Sequence, residues 1–225
     1  TEKIKKPDPE EAITLYFDDA EDVYDQRCHL DDQLDELWMI DRILARDLEI
    51  KIFGKARIGI IGNNGCGKST YLKHLYQAAL AKGTKVAYMP QNYASLLNLN
   101  QSPVEFLTRE GTKEEKTKIM TYLGNLKFTE EEMLQPIGNC SQGQKAKILF
   151  TSLVFSDADL LILDEPTRNL SPLTLPVIES MLDAFHGAIL AVSHDRRFLR
   201  NITEQRYLFD TGGLHDITRD EGVLE

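Results

Sequence analysis

The sequence predicts an α/β fold, and three observations carry that expectation. The apolar runs Arg57-Ile58-Gly59-Ile60-Ile61, Leu160-Leu161-Ile162-Leu163 and Ala188-Ile189-Leu190-Ala191-Val192 read as strands buried on both faces of a parallel sheet. Each run gives way to polar residues, which brings chemistry to the carboxyl edge of the sheet, where open α/β folds bind ligands. Stretches with helical spacing lie between the runs, the first from Lys68 to Ala81 with Leu72, Leu75 and Leu80 among its apolar positions.

The first run leads directly into Gly62-Asn63-Asn64-Gly65-Cys66-Gly67-Lys68-Ser69-Thr70, a complete G-x-x-x-x-G-K-[ST] between strand and helix. The glycines let successive backbone N–H groups turn inward around a phosphate, Lys68 supplies a point charge, and Ser69 is placed to ligate Mg²⁺. The second run ends in Asp164-Glu165. There Asp164 would hold Mg²⁺ through its water shell and Glu165 would orient and polarise an attacking water. The third run delivers His194, which could contact a γ-phosphate; its structural alternative is a capping histidine before the helix expected near Asp195. In Cys140-Ser141-Gln142-Gly143-Gln144-Lys145 a hydroxyl, a glycine and free N–H groups open the helical stretch 146–155. That suits an anion, although by itself it is also an ordinary helix start.

The remaining elements follow in order. Residues Ala12 to Phe17 and Asp47 to Phe53 read as strands of an early antiparallel layer, and Lys85 to Met89 as another strand. From Asn92 to Phe155 the pattern is helical, broken at Gly111, Gly124 and Pro136, as in a lobe inserted into a core. Pro172 to Phe185 reads as a helix in which Pro176 either causes a kink or lies in the first turn. Gln205 to Asp210 with Gly212-Gly213 suggests an edge strand and a turn.

The ordered set of phosphate loop, Gln91 after Tyr88-Met89-Pro90, Ser141-Gln142-Gly143-Gln144, Asp164-Glu165-Pro166-Thr167 and Ser193-His194-Asp195 resembles an ATP-binding cassette nucleotide-binding domain over nearly the whole chain. The resemblance implies a P-loop NTPase core of ABC type (1–91 and 156–225), with an antiparallel β layer and an inserted helical subdomain (about 92–155). It implies an ATPase whose cofactors are ATP and Mg²⁺, with Lys68, Gln91, Glu165 and His194 catalytic and Ser69, Gln91 and Asp164 on the metal. Residues Ser141, Gln142, Gly143 and Gln144 would close over the ATP of an opposing cassette. That partner would be a second cassette of the same polypeptide or of a homodimer.

Within the superfamily, Ser193 to Leu199 and Met89 to Tyr93 most resemble ABC-F proteins, soluble twin-cassette ATPases of which many act on the ribosome. This implies the C-terminal cassette of a longer protein, with ribosome contact through regions outside this chain and a role in antibiotic protection as one outcome. The alternative is the ATPase subunit of a membrane transporter, since Arg168-Asn169-Leu170 is similar to the loop of some transporter cassettes. Two positions depart from the family: Gln142 replaces a second signature glycine, and Ser171 stands where the D-loop has aspartate. They leave open a switch that binds ATP and barely hydrolyses it. Counting back from the phosphate-loop strand places Trp38 at the adenine-stacking aromatic, with Tyr24 as fallback; equally, Trp38 could pack with Leu34, Leu37 and Ile40.

Composition narrows the setting. The 225 residues are enough for one sizeable core, and a net charge of −10 disfavours binding nucleic acid by electrostatics alone. Acidic residues cluster at Asp18, Asp19, Glu21, Asp22, Asp25, Asp31, Asp32, Asp35 and Glu36, as in a solvated loop, while Lys3, Lys5 and Lys6 could end a basic linker. A chain opening on Thr1 is consistent with a fragment. Three cysteines, Cys28, Cys66 and Cys140, far apart and odd in number, argue for a reducing compartment, by default the cytoplasm. No apolar stretch reaches the roughly 18 residues of a membrane span, and the opening residues do not read as a signal peptide.

Overall fold

A computed structural model describes residues 26–168 and 170–219. The expectations for Ala12 to Phe17, Tyr24, Asn169, the N-terminal lysines and the acidic residues before Gln26 lie outside these residues. The described chain forms two compact units.

The larger unit opens with a long antiparallel hairpin, β1 (Cys28–Met39) and β2 (Arg42–Phe53). The second strand begins earlier than the expected Asp47, because alternating burial at Leu44, Leu48, Ile50 and Ile52 extends its inner face to the turn. Strand β3 (Arg57–Ile61) follows, then helix α1 (Lys68–Ala81), whose bounds are those read from the sequence, and β4 (Val86–Met89). After the helical unit the chain returns as β5 (Leu160–Asp164) and β6 (Ala188–Val192), with every residue buried. Continuous apolar runs are what a parallel strand covered on both faces requires.

The six-stranded sheet has the order β4-β5-β6-β3 and ends in β7 (Gln205–Asp210) and β8 (Gly213–Asp216). Strand β7 is parallel to β3 on one side and antiparallel to β8 on the other. The expected edge strand is therefore an interior one, and β8, formed beyond the glycine turn, takes the edge. Because β6 lies between β3 and β5, their three carboxyl ends converge. One apolar cluster joins the hairpin, α1 and the sheet, with Ile50, Ile52, Ile58, Ile60, Leu72, Leu75, Ile162 and Leu190 at its centre.

The second unit comprises Tyr93–Phe155 together with 170–184, so it takes in more than the inserted segment. Its helices are α2 (Pro103–Leu107), α3 (Lys113–Asn125), α4 (Glu130–Leu134), α5 (Gln142–Val154) and α6 (Leu175–Asp183). The first four start on hydroxyl caps, at Ser102, Thr112, Thr129 and Ser141, each accepting a backbone N–H from the residue three on. Helix α6 is shorter than the expected Pro172 to Phe185. Pro176 lies in its first turn, where a missing N–H costs nothing.

Candidate nucleotide site

The phosphate loop owes its shape to two glycines that tolerate no side chain. Gly67 has φ 115°, and a Cβ there would come within 2.8 Å of Leu44 Cδ1 on β2. A side chain on Gly62 would run into the carbonyl oxygen of Phe209 on β7. Lys68, buried at 7 % exposure, curls back inside the loop and donates to the carbonyls of Gly62 (2.8 Å) and Asn63 (2.7 Å). Helix α1 begins without a side-chain cap and without an acidic residue in its first turn, so the N–H groups of Lys68, Ser69 and Thr70 remain available to an anion. Cys66 sits in the same loop, its Sγ 3.9 Å from Lys68 Nζ.

At the end of β5, Asp164 is 2 % exposed. Its Oδ2 accepts from the Tyr88 hydroxyl at 3.3 Å, while Oδ1 has no hydrogen-bond partner. Burial, then the adjacent Asp164 carboxylate, pushes the Tyr88 phenol well above its ordinary pKa, so the hydroxyl stays a donor. The next residue, Glu165, takes φ 52°, a left-handed conformation uncommon for a non-glycine residue, and is pinned there by its N–H to Val192 O at 2.8 Å. Its side chain is directed at His194: Glu165 Oε2 accepts the His194 backbone N–H at 3.2 Å, and Oε1 lies 3.2 Å from His194 Nε2. The proximity of Oε1 to the ring is a distance rather than a well-formed hydrogen bond, since Oε1 is otherwise unpartnered and buried.

His194 is held by its neighbours. The Ser193 hydroxyl accepts from Asp195 N at 3.0 Å and pairs with Thr167 Oγ1 at 3.2 Å. Asp195 caps helix α7 (Arg196–Ile202) by accepting from Phe198 N. A cavity of about 270 Å³ opens beside the loop, bordered by Gly62, Asn63, Asn64, Ser193, His194 and Arg196. Tyr88, Thr167, Ser193 and Arg196 are site residues that sequence reasoning did not assign. Only strand register could have found Tyr88, which pairs with Ile162 two residues before Asp164.

Gln91 lies exposed two residues past Met89, which is in register with Leu163, so it stands at the same sheet edge as the two acids. Of the residues expected on the metal, Asp164 has a buried carboxylate oxygen, Oδ1, without a hydrogen-bond partner; with the Ser69 hydroxyl and the Gln91 amide it makes up a set of hard oxygen donors, the chemistry that Mg²⁺ takes. Trp38 is half exposed, at 51 %, and its indole N–H donates to Glu36 at 3.0 Å. The alternative of a packed patch fails: Ile40, at 91 % exposure, is out in solvent, and only Leu37 is buried. Trp38 follows the buried Leu37, so strand alternation puts its side chain on the exposed face, and it pairs with Ile43, one residue before the Leu44 that abuts Gly67.

Ser141, Gln142, Gly143 and Gln144 belong to the helical unit. Ser141 Oγ accepts from Gln144 N at 3.2 Å and Gln144 Oε1 from Ser141 N at 2.8 Å, a reciprocal capping box with Gln142 and Gly143 between. A Cβ on Gly143 would meet Thr174 Oγ1 at 3.0 Å, and Thr174 Oγ1 is 3.0 Å from the Ser171 hydroxyl. Serine at the D-loop position thus serves the turn before α6.

A phosphate loop, a strand-end carboxylate pair and a histidine just past the intervening strand, with a capped Ser-x-Gly-Gln helix, define an ATP-binding cassette ATPase domain. The chain belongs to the ABC transporter family, whose model matches residues 45–168, over half its length. Among curated relatives, the probable ATP-binding protein YheS of Escherichia coli K12 is 34% identical over 176 residues, covering 75% of this chain and 28% of that protein. The human ATP-binding cassette sub-family F member 3 is 29% identical over 231 residues, covering 99% of this chain and 32% of that protein. The chain thus spans about a third of the length of these relatives, and the sub-family F match bears out the resemblance to ABC-F proteins. Among solved structures, the ATP-binding cassette MJ0796, a dimer in a post-hydrolysis state with ADP and Pi, superposes with a TM-score of 0.66 at 15% identity, covering 83% of this chain and 97% of that one. That likeness concerns the fold. Among the described residues no helix is long and apolar enough to cross a membrane.

Proposed function

We propose that this chain binds and hydrolyses Mg-ATP at an interface with a second cassette, as the C-terminal cassette of a longer, soluble, cytoplasmic ABC-F ATPase acting on the ribosome. The observation that carries the hydrolytic reading is Glu165, set beside His194 with a buried, unpartnered carboxylate oxygen. An acceptor so placed can hold and polarise the attacking water, while His194 orients the reacting end. Lys68, the loop amides and the start of α1 bind the phosphates, and Trp38 offers a face to adenine. Ser69, Gln91 and Asp164 would hold Mg²⁺, which neutralises charge developing on the phosphate oxygens.

Ser141, Gly143 and Gln144 would cover the nucleotide of the opposing cassette, whether from the same polypeptide or a second copy. ATP then assembles the pair and hydrolysis opens it, the mechanical output of the cycle. Ribosome action, including protection against antibiotics, would be mediated by regions outside this chain, which accords with its net charge of −10.

The test is co-sedimentation of the full-length protein, carrying Glu165→Gln and the matching change in its other cassette, with ribosomes in ATP and in ADP. Retention in ATP alone is expected. Absence of retention together with membrane association would replace this reading with that of a transporter subunit, and a wild-type protein with barely any ATP turnover, whose behaviour Glu165→Gln leaves little changed, would replace it with a non-hydrolytic switch.

A further inference from the structure

Besides Gly62 and the apolar Ile61 and Leu208, the cavity beside the phosphate loop is bordered by Asn63, Asn64, Ser193, His194 and Arg196, polar or basic residues with no acidic one among them. Such a lining suits an anion. Lys68, the expected phosphate cation, is engaged by the Gly62 and Asn63 carbonyls within the loop, whereas no ion-pair partner holds Arg196 among the described residues. We propose that Arg196 is a further nucleotide-recognition residue, its guanidinium binding the terminal phosphate of a nucleoside triphosphate in this cavity and so separating triphosphate from diphosphate.

Two features support the assignment besides the lining. Arg196 is the first residue of α7, and the turn before it is fixed on both sides, by Asp195 N to Ser193 Oγ at 3.0 Å and Phe198 N to Asp195 Oδ1 at 2.9 Å, so its Cα position relative to His194 is set. The guanidinium is permanently charged and presents a planar fork that matches two phosphate oxygens, which a lysine cannot reproduce. Its side chain is exposed, so its replacement removes no core packing.

This assignment rests on the ATP-binding reading, and the experiment separates the two. Calorimetric Kd values are measured for a non-hydrolysable ATP analogue (AMP-PNP) and for ADP, each with Mg²⁺, on the full-length protein, with the phosphate-loop lysine of its other cassette replaced so that only this site is read, and on its Arg196→Gln and Arg196→Lys variants. Arg196→Gln is expected to weaken the analogue about ten-fold, the effect of losing one charge-assisted hydrogen-bonded contact, and to leave ADP unchanged. Arg196→Lys should fall between wild type and Arg196→Gln. Equal weakening of both nucleotides, or no change in either, overturns the assignment while leaving ATP binding intact. A wild-type chain that binds neither nucleotide overturns the ATP reading, and the assignment with it.

Discussion

Glu165 shows how one residue joins stability to chemistry. Its φ of 52° and its unpartnered Oε1 are both costs, which packing of β5 against β6 sustains. Replacing it with glycine relieves the backbone strain, so Glu165→Gly should raise the urea midpoint by the equivalent of about 1 kcal/mol while removing turnover. A lower midpoint would show that the side chain contributes more than the strain costs. Glu165→Gln keeps the shape but loses the charge proposed to polarise water; turnover should fall on the order of 10²-fold or more, with an ATP-stabilised pairing of cassettes appearing on size exclusion. The positions of Lys68, Ser69, Asp164 and Glu165 were legible because their spacing on a strand-loop-helix or at a strand end constrains where each residue goes. Tyr88 and Thr167 were not, since their partners Asp164 and Ser193 lie 76 and 26 positions away. Trp38 was half legible: counting back singled it out, but its exposure depends on which face of β1 is covered, and that is set by the packing of Leu37 inward.

At the scale of elements, the α5 start combines a stabilising cap with a proposed contact to a partner's nucleotide. Ser141→Ala removes the hydroxyl that accepts from Gln144 N, and thermal unfolding should show a loss of about 1 kcal/mol, separable from any loss of turnover by Ser141→Thr, which keeps the cap. The β1–β2 turn makes the opposite case. Ile40, β-branched, sits at φ 55° with 91 % exposure, so Ile40→Asn or Ile40→Gly should stabilise the chain by about 1 kcal/mol by the same assay. The strands β3, β5 and β6 and helix α1 were plain in the sequence because burial on both faces and a glycine-lysine start leave few alternatives. Strand β7 was misplaced at the edge because pairing order is a property of the whole sheet, and β8 follows from a turn, not from an apolar run.

Across the whole molecule, one buried histidine, His29, and one half-buried, His186, make the fold sensitive to mild acid. Burial is the main cause that lowers the pKa of both His29 and His186 below their ordinary 6.5. His29 presents Nε2 to the Gly54 carbonyl at 2.8 Å and leaves Nδ1 unpartnered, with Arg27, Lys82 and Asp159 as its charged neighbours. Below 6.5 the unfolded chain takes up protons that the folded one refuses, so stability is intact above that pH and falls as pH drops through the depressed values. Urea midpoints measured from pH 7.5 to 5.5 should decline, and the decline should be shallower in His186→Gln. The sheet order carries a consequence for synthesis. Strand β3 finds its two neighbours only at residues 188–192 and 205–210, well over a hundred positions later, so the nucleotide loop is made long before the strands that brace it. A nascent chain halted before residue 188 holds an apolar strand with both edges open, and such products are expected to be substrates for chaperones and proteases instead of folding intermediates that bind ATP.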